Sequence, residues 1–232
     1  SYSVTGVQTC ALPISAGSSL GLDTTNASGV FTYSSNIADT DGGLNPLGLS
    51  KLGTGTLALT GVNSYSGVTQ ILGGALRLDT DGANLNTNSN LTLSNGVVET
   101  NGTLALTVGT AGGNIQWTAV TGRGGFSAVG GDLDVTLNGG SMLVWSATAG
   151  TSKFGAAALS FGSPNANGKT RLTNNIALKF TRTVQVDSGA GGDSAELSGV
   201  LSHADGGITK NGTGTLILSG SNTFGSTNVI NG

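Results

Sequence analysis

An all-β solenoid, a parallel β-helix wound from one chain, is the fold this sequence predicts. Three observations carry it. Apolar residues come in short alternating runs, the pattern of half-buried strands. Gly (41), Thr (31), Ser (26) and Asn (20) make up about half of the 232 residues, and these small, turn-prone types form tight corners. An eleven-residue block also occurs twice, as KLGTGTLALTG from Lys51 and KNGTGTLILSG from Lys210, with eight identical positions. Repetition at this level is the mark of a stacked architecture.

The strands follow in order. Thr56–Thr60 (TLALT) places Leu57 and Leu59 on one face and Thr56, Ala58 and Thr60 on the other. Leu91–Leu93, Thr103–Val108, Ile115–Val120, Leu133–Leu137, Leu143–Trp145, Ile176–Phe180, Thr183–Val186 and Thr215–Leu218 read in the same way. In LDVTL, Leu133, Val135 and Leu137 oppose Asp134 and Thr136. The inward set includes Leu57, Leu59, Leu133, Val135, Leu216 and Leu218. No window holds apolar residues at i, i+3, i+4 and i+7, so no helix is expected. An antiparallel sandwich is the competing architecture. The solenoid fits better because its thin core suits small residues, low charge and Gly-rich corners. At roughly 20–25 residues per coil the chain holds about ten coils, a rod about 45–50 Å long.

Composition narrows function. Charged residues are 9% and the net charge is −3. The nine Lys and Arg are scattered singly, which argues against nucleic acid, because phosphate binding needs clustered positive charge. No apolar stretch approaches the roughly 20 residues that span a bilayer. No basic start with an apolar run marks a signal peptide. One cysteine, Cys10, excludes a disulfide framework, and one histidine, His203, excludes multi-histidine metal sites. Disorder is the other compositional alternative, but low charge and a good supply of branched apolars oppose it.

The duplicated block resembles the autotransporter-associated β-strand repeat. Lys51, Gly53, Gly55, Thr56, Leu57, Leu59, Gly61, Asn63, Tyr65 and Gly67 carry the likeness in the first copy. Lys210, Gly212, Gly214, Thr215, Leu216, Leu218, Gly220, Asn222, Thr223 and Phe224 carry it in the second. Phe224 replaces the tyrosine, and one residue is missing beside it, so the second corner is expected to differ. The stretches IQWTAVTGRGGFSAVGGDLDVTLNGG and AELSGVLSHADGGITK resemble spacers in very long bacterial surface proteins. The likeness implies a right-handed parallel β-helix over residues 15–232, with repeats at about 51–78 and 210–232. It implies a passenger segment exported across the outer membrane of a Gram-negative-type bacterium, a stalk or adhesin-like shaft. Its partner would be a surface receptor or a glycan. Both ends look cut, so the segment is expected to lack caps and to associate end to end.

Candidate chemistry is sparse, and the expectation is no enzyme, no cofactor and no metal. Asp132 and Asp134 sit at i and i+2 on a strand, roughly 6–7 Å apart. That lies near the spacing of an inverting glycosidase pair, but a solvated outer face explains them as well. DTDGG at Asp39 and Asp41, and DTDGA at Asp79 and Asp81, hint at Ca²⁺ but lack the remaining ligands of a calcium loop. GGDLD at 130–134 lacks the third glycine of a calcium β-roll. His203 reads as an exposed loop histidine, because Ser202, His203 and Asp205 are sequence neighbours without a nucleophile elbow. Trp117 and Trp145 alternate in step with Ile115 and Leu143 and read as core, with sugar stacking as the alternative. Thr54, Thr56, Thr213 and Thr215 face outward by parity. The competing function classes are therefore a β-helix carbohydrate-active enzyme and a glycan-binding solenoid.

Residues 4–14, VTGVQTCALPI, resemble the in-frame translation of a common short-read sequencing adapter. Residues 1–14 are then a non-native segment, and Cys10 carries no function. Pro13 agrees, since it lacks the N–H that a stacked strand needs. Resequencing the locus by a library-free method should find no codons for this stretch. Finding them continuous with upstream coding sequence contradicts the adapter reading.

Overall fold

A computed structural model describes residues 15–118, 122–145, 153–154 and 158–229. The adapter-like residues 4–14, with Cys10 and Pro13, lie outside them. The described residues wind in nine circuits. The first four contain β1 (Ser19–Asp23) and β2 (Val30–Tyr33), β3 (Gly48–Leu52) and β4 (Thr56–Leu59), β5 (Thr69–Ile71) and β6 (Gly74–Arg77), then β7 (Leu91–Leu93) and the long β8 (Gly96–Leu106). The fifth holds β9 (Ile115–Trp117) and β10 (Arg123–Leu137). The sixth holds β11 (Leu143–Trp145), β12 (Lys153–Phe154), β13 (Ala158–Phe161) and β14 (Lys169–Leu172). The last three hold β15 (Ile176–Leu178), β16 (Thr181–Val186) and β17 (Ser194–Leu197), then β18 (Leu201–Asn211) and β19 (Thr215–Leu218), then β20 (Thr223–Val229). The only helical elements among the described residues are three short 3₁₀ turns.

Every ladder between these strands is parallel. One five-stranded sheet runs β1-β3-β5-β7-β9, and a 15-stranded sheet contains the rest. The second sheet turns corners because β8, β10 and β18 each run through two faces. The first half of β10 pairs with β8 and β13, and its second half with β8 and β14, across a break between Ala128 and Leu133. From β8 onward the cross-section therefore has a third strand-built face, β8-β10-β14-β17-β19. Nine circuits at about 4.8 Å spacing make a rod of about 38 Å. The count covers the described residues, whereas the expectation of about ten coils covers the whole chain.

The core is a set of columns along the rod. Leu57, Leu76, Val98, Phe126, Phe161 and Val186 occupy one register line. Leu104, Val135, Leu172, Leu197 and Leu218 occupy another. Leu57, Leu59, Leu133 and Val135 are buried, while Leu216 and Leu218 pack half-buried against the core. Each inward side chain meets its counterpart one strand above and one below, so burial is obtained without a wide interior.

The two copies of the repeat do not lie on one register line. The first has Lys51 on β3 in the five-stranded sheet and TLAL on β4. The second has Lys210 on β18, which follows β4's face, and TLIL on β19 of the third face. The block builds the same corner one face further round. The exit also differs as expected. The first copy runs through an irregular stretch to β5, whereas the second enters β20 from Thr223.

Candidate functional site

The repeat motif explains itself once the corner is built. Lys51 lies in an inward column between Leu22 and Ile71 and is fully buried. Its Nζ donates to the carbonyls of Leu52 (2.8 Å), Gly53 (2.9 Å) and Gly73 (2.9 Å). Burial pushes its ammonium down to about 8, with the Asp23 carboxylate pulling the other way. The second copy repeats the contact, as Lys210 Nζ donates to the Gly212 carbonyl. Gly53 and Gly212 both take positive φ, +77° and +83°. A Cβ on Gly53 would meet Thr25 N at 2.4 Å, and one on Gly212 would meet Val186 O at 2.2 Å. Lys-x-Gly is thus a corner device, a chain reversal whose carbonyls are held by the lysine two residues earlier.

Asparagines staple the other corners. Asn63 Oδ1 accepts the Ile37 N–H at 3.0 Å, and Asn222, its counterpart, accepts the Leu201 N–H at 2.8 Å. Asn174 takes the Leu137 N–H and donates to the Leu137 and Ser141 carbonyls. Asn90 donates to the carbonyls of Gly109, Ala111 and Asn114. Backbone groups that leave the ladder at a bend are satisfied this way. Tyr65 is buried, its OH 2.7 Å from Thr69 Oγ1, which lies 2.8 Å from Ser89 Oγ. Phe224 keeps the ring without the hydroxyl.

Two aspartates of the DTDG turns, Asp39 and Asp81, are corner acceptors too. Asp39 takes the N–H of Leu47 and of Ser66, each at 2.8 Å, and the Ser66 hydroxyl at 2.6 Å. Desolvation pushes its carboxyl up, but these hydrogen bonds outweigh it and hold the carboxyl below its usual range. Asp81 accepts the Thr103 N–H at 2.5 Å, and Asp79 donates its own N–H to Asn84 Oδ1. Asp41 and Asp81 adopt φ of +54° and +60°. Among the described residues no three His, Cys, Asp or Glu side chains gather as metal ligands.

Asp132 and Asp134 do share an outer face, but each is engaged by a residue 37 positions on in sequence, Asp132 by a backbone N–H and Asp134 by a guanidinium. Asp132 Oδ1 accepts the Lys169 N–H at 2.8 Å. Arg171 grips Asp134 with Nε at 2.8 Å and with Nη2. Glu196, one circuit on, meets Lys169 Nζ at 2.9 Å and the Ser219 hydroxyl at 2.6 Å. The Ser219 hydroxyl foremost, then Lys169, holds the Glu196 carboxyl below its usual range. Asp134, Arg171, Lys169 and Glu196 form a zipper of alternating charge along β10, β14 and β17.

Several expectations need correction. Thr54, Thr213 and Thr215 are exposed, but Thr56 is 2% exposed. Its Oγ1 receives a hydrogen bond from Asn165 Nδ2 at 2.8 Å, across 109 residues. The segment Gly162–Gly168, between β13 and β14, lies as a strap over the outer face of the sheet. Ser163 Oγ donates to Glu99 Oε2 at 2.7 Å and accepts from Ser127 at 2.9 Å. Under it Glu99 is wholly buried and paired with Arg77. Parity put Thr56 outward correctly, but an outer face can itself be covered. His203 is no exposed loop residue either. It sits half-buried on β18 beside a register break, with φ of 142°. The bulge draws the ring partly beneath the surface. Trp117 and Trp145 are core residues, 2% and 0% exposed. Phe154 stands between them, with ring centroids 5.5 and 5.0 Å away, so neither indole is open to a sugar.

The strap also bounds a cleft of about 380 Å³ on the outer surface. Ser160, Ser163 and Pro164 line one wall, Arg123 and Asp187 the mouth, and Val97 part of the floor.

Residues 49–78 and 208–232 match the passenger-associated-transport-repeat. The chain is similar to the adhesin BmaC autotransporter of Brucella suis biovar 1 (strain 1330), with 29% identity over 268 aligned residues. That alignment covers 94% of this chain, which spans 8% of the relative's length. No solved structure matches the chain. The chain is autotransporter passenger-like, with two stretches that match the passenger repeat in a parallel β-solenoid.

Replacing Lys51 tests the corner. At pH 7, Lys51→Met should cost about 2–3 kcal/mol in urea unfolding, because the Gly53 and Gly73 carbonyls lose a buried charged donor. The folded ammonium titrates near 8, below the ordinary unfolded value of about 10.4. The cost of burying the charge is thus fully present below about pH 8 and is relieved as pH rises toward the unfolded value. The wild-type chain should gain stability relative to Lys51→Met between pH 7 and pH 9.5. Equal stability of the two proteins at both pH values contradicts the assignment.

Proposed function

We propose that the chain is a rigid segment of a passenger exported to the surface of a Gram-negative-type bacterium, where it works as a stalk or adhesin-like shaft. The observation that carries this reading is the parallel ladder that runs along one face from β2 through β4, β6, β8, β10, β13, β16 and β18 to β20, with lysine and asparagine staples at its corners. A solenoid in which each coil rests on its neighbours is a stiff spacer with long lateral faces for binding. The adhesin name of the relative supports the surface role. Its partner on this reading is a host-surface receptor or a glycan. The Asp134–Arg171 pair, with Asp132 held by the Lys169 backbone N–H, supports a non-catalytic role over the carbohydrate-active alternative. No helix among the described residues is long and apolar enough to cross a membrane.

Display of the chain on a heterologous outer-membrane anchor tests this. Added protease should remove it from intact cells, and the cells should adhere to epithelial monolayers several-fold above anchor-only controls. Adhesion equal to the anchor alone contradicts the adhesin reading.

A further inference from the structure

The cleft beside the strap contains one buried side chain, Ser160, whose hydrogen-bonding capacity is unused. Ser160 lies on β13 between Leu159 and Phe161, both inward and buried. Its own side chain therefore points to the outer face, into the cleft. Ser160 is 3% exposed, and its Oγ has no partner. A buried hydroxyl without a partner is uncommon and calls for an explanation. On the same register line, Val97 lies two strands away, with Gly125 between them. A Cβ on Gly125 would meet Ser160 O at 1.9 Å, so no side chain fills the floor between the valine and the serine.

The mouth carries one charge of each sign. Arg123 Nη1 and Asp187 Oδ2 stand 3.6 Å apart, about half exposed. A pair this open is weakly held, so a ligand can exchange into it. Ser188 and the exposed Asn95 complete the polar rim.

This combination selects a ligand class. An anion would find Arg123 already neutralised by Asp187. A cation would find a single carboxylate. An apolar guest would leave Ser160 without a partner and would strip water from the Arg123–Asp187 pair, which is costly. A polyhydroxylated ring satisfies all of them, because each hydroxyl donates to a carboxylate or serine oxygen and accepts from a guanidinium. The volume falls at the small end of ligand sites, about 300–1,000 Å³, and suits one or two sugar rings.

We propose that the cleft between the strap and Arg123–Asp187 binds a terminal hexose unit of a neutral glycan, with Ser160 as the buried anchor. The proposal rests on the surface-exposed reading of the chain and gives the shaft a lateral receptor site. Sugar stacking on Trp117 and Trp145 is replaced by recognition through hydrogen bonds.

Saturation-transfer difference NMR on the 232-residue chain tests it, using methyl α-D-glucopyranoside, methyl α-D-mannopyranoside and methyl β-D-galactopyranoside. Glucuronate and inorganic phosphate serve as charged controls. At least one neutral hexoside should bind saturably. Ser160→Ala and Asp187→Asn should each weaken it about ten-fold, the loss of one well-made hydrogen bond. Arg123→Gln, at an exposed position that leaves the core intact, should weaken it similarly. Asp134→Asn, on another face, should leave it unchanged. The proposal is overturned by absence of binding to all three hexosides, by equal affinity in the cleft variants, or by binding of glucuronate or phosphate alone. Protease removal and adhesion of displayed cells are read separately. Adhesion that survives Ser160→Ala and Arg123→Gln sinks the cleft and leaves the surface role standing.

Discussion

The structure depends on coil stacking upon coil in parallel register. Each strand gives its backbone N–H and C=O groups to the circuits above and below, and inward side chains form columns in the same step. The ladder fails wherever the chain bends, and a narrow solenoid bends several times per circuit. Buried backbone groups at those bends must find partners or cost free energy. Lys51, Asn63, Asn90, Asn174 and Asn222 supply them. The abundance of asparagine and glycine is a requirement of the corners.

The same constraint explains why the duplicated block sits on different faces in its two copies. What Lys-x-Gly-x-Gly supplies is a local reversal whose carbonyls are gripped from within. Any corner of the rod can use it, so the motif need not return to one register line. Beyond the corners the outer surface is differentiated. One face carries the charge zipper of Asp134, Arg171, Glu196 and Lys169. Another is roofed by the strap over Glu99 and Thr56. A rod with distinct sides can space and present at once, which suits a passenger-like segment.

Much of the fold was visible in sequence alternation. Leu143–Trp145 and Thr215–Leu218 appear as strands with the expected bounds. Strands with polar outer positions were passed over, among them β14 (KTRL) and β17 (SAEL). Their alternation is present, but each offers only one large apolar residue inward, Leu172 and Leu197. The ion pairs followed into obscurity with them. Asp134 and Arg171 are 37 residues apart, and only the register of two stacked runs brings them together. Lys51 carried a readable signal, a lysine at an inward parity position in both copies, but its role needs the three carbonyls around it. The strap, with Asn165 reaching Thr56, had no sequence signature, because an irregular segment carries no periodicity.

Dipolar EPR between nitroxides on Asp134→Cys and Ile217→Cys, in a Cys10→Ser background, tests the stacking most directly. These positions lie on one register line, through Arg171 and Glu196. Three steps of about 4.8 Å predict a separation of about 14–15 Å, broadened by the label linkers. A separation beyond about 25 Å would contradict the parallel solenoid.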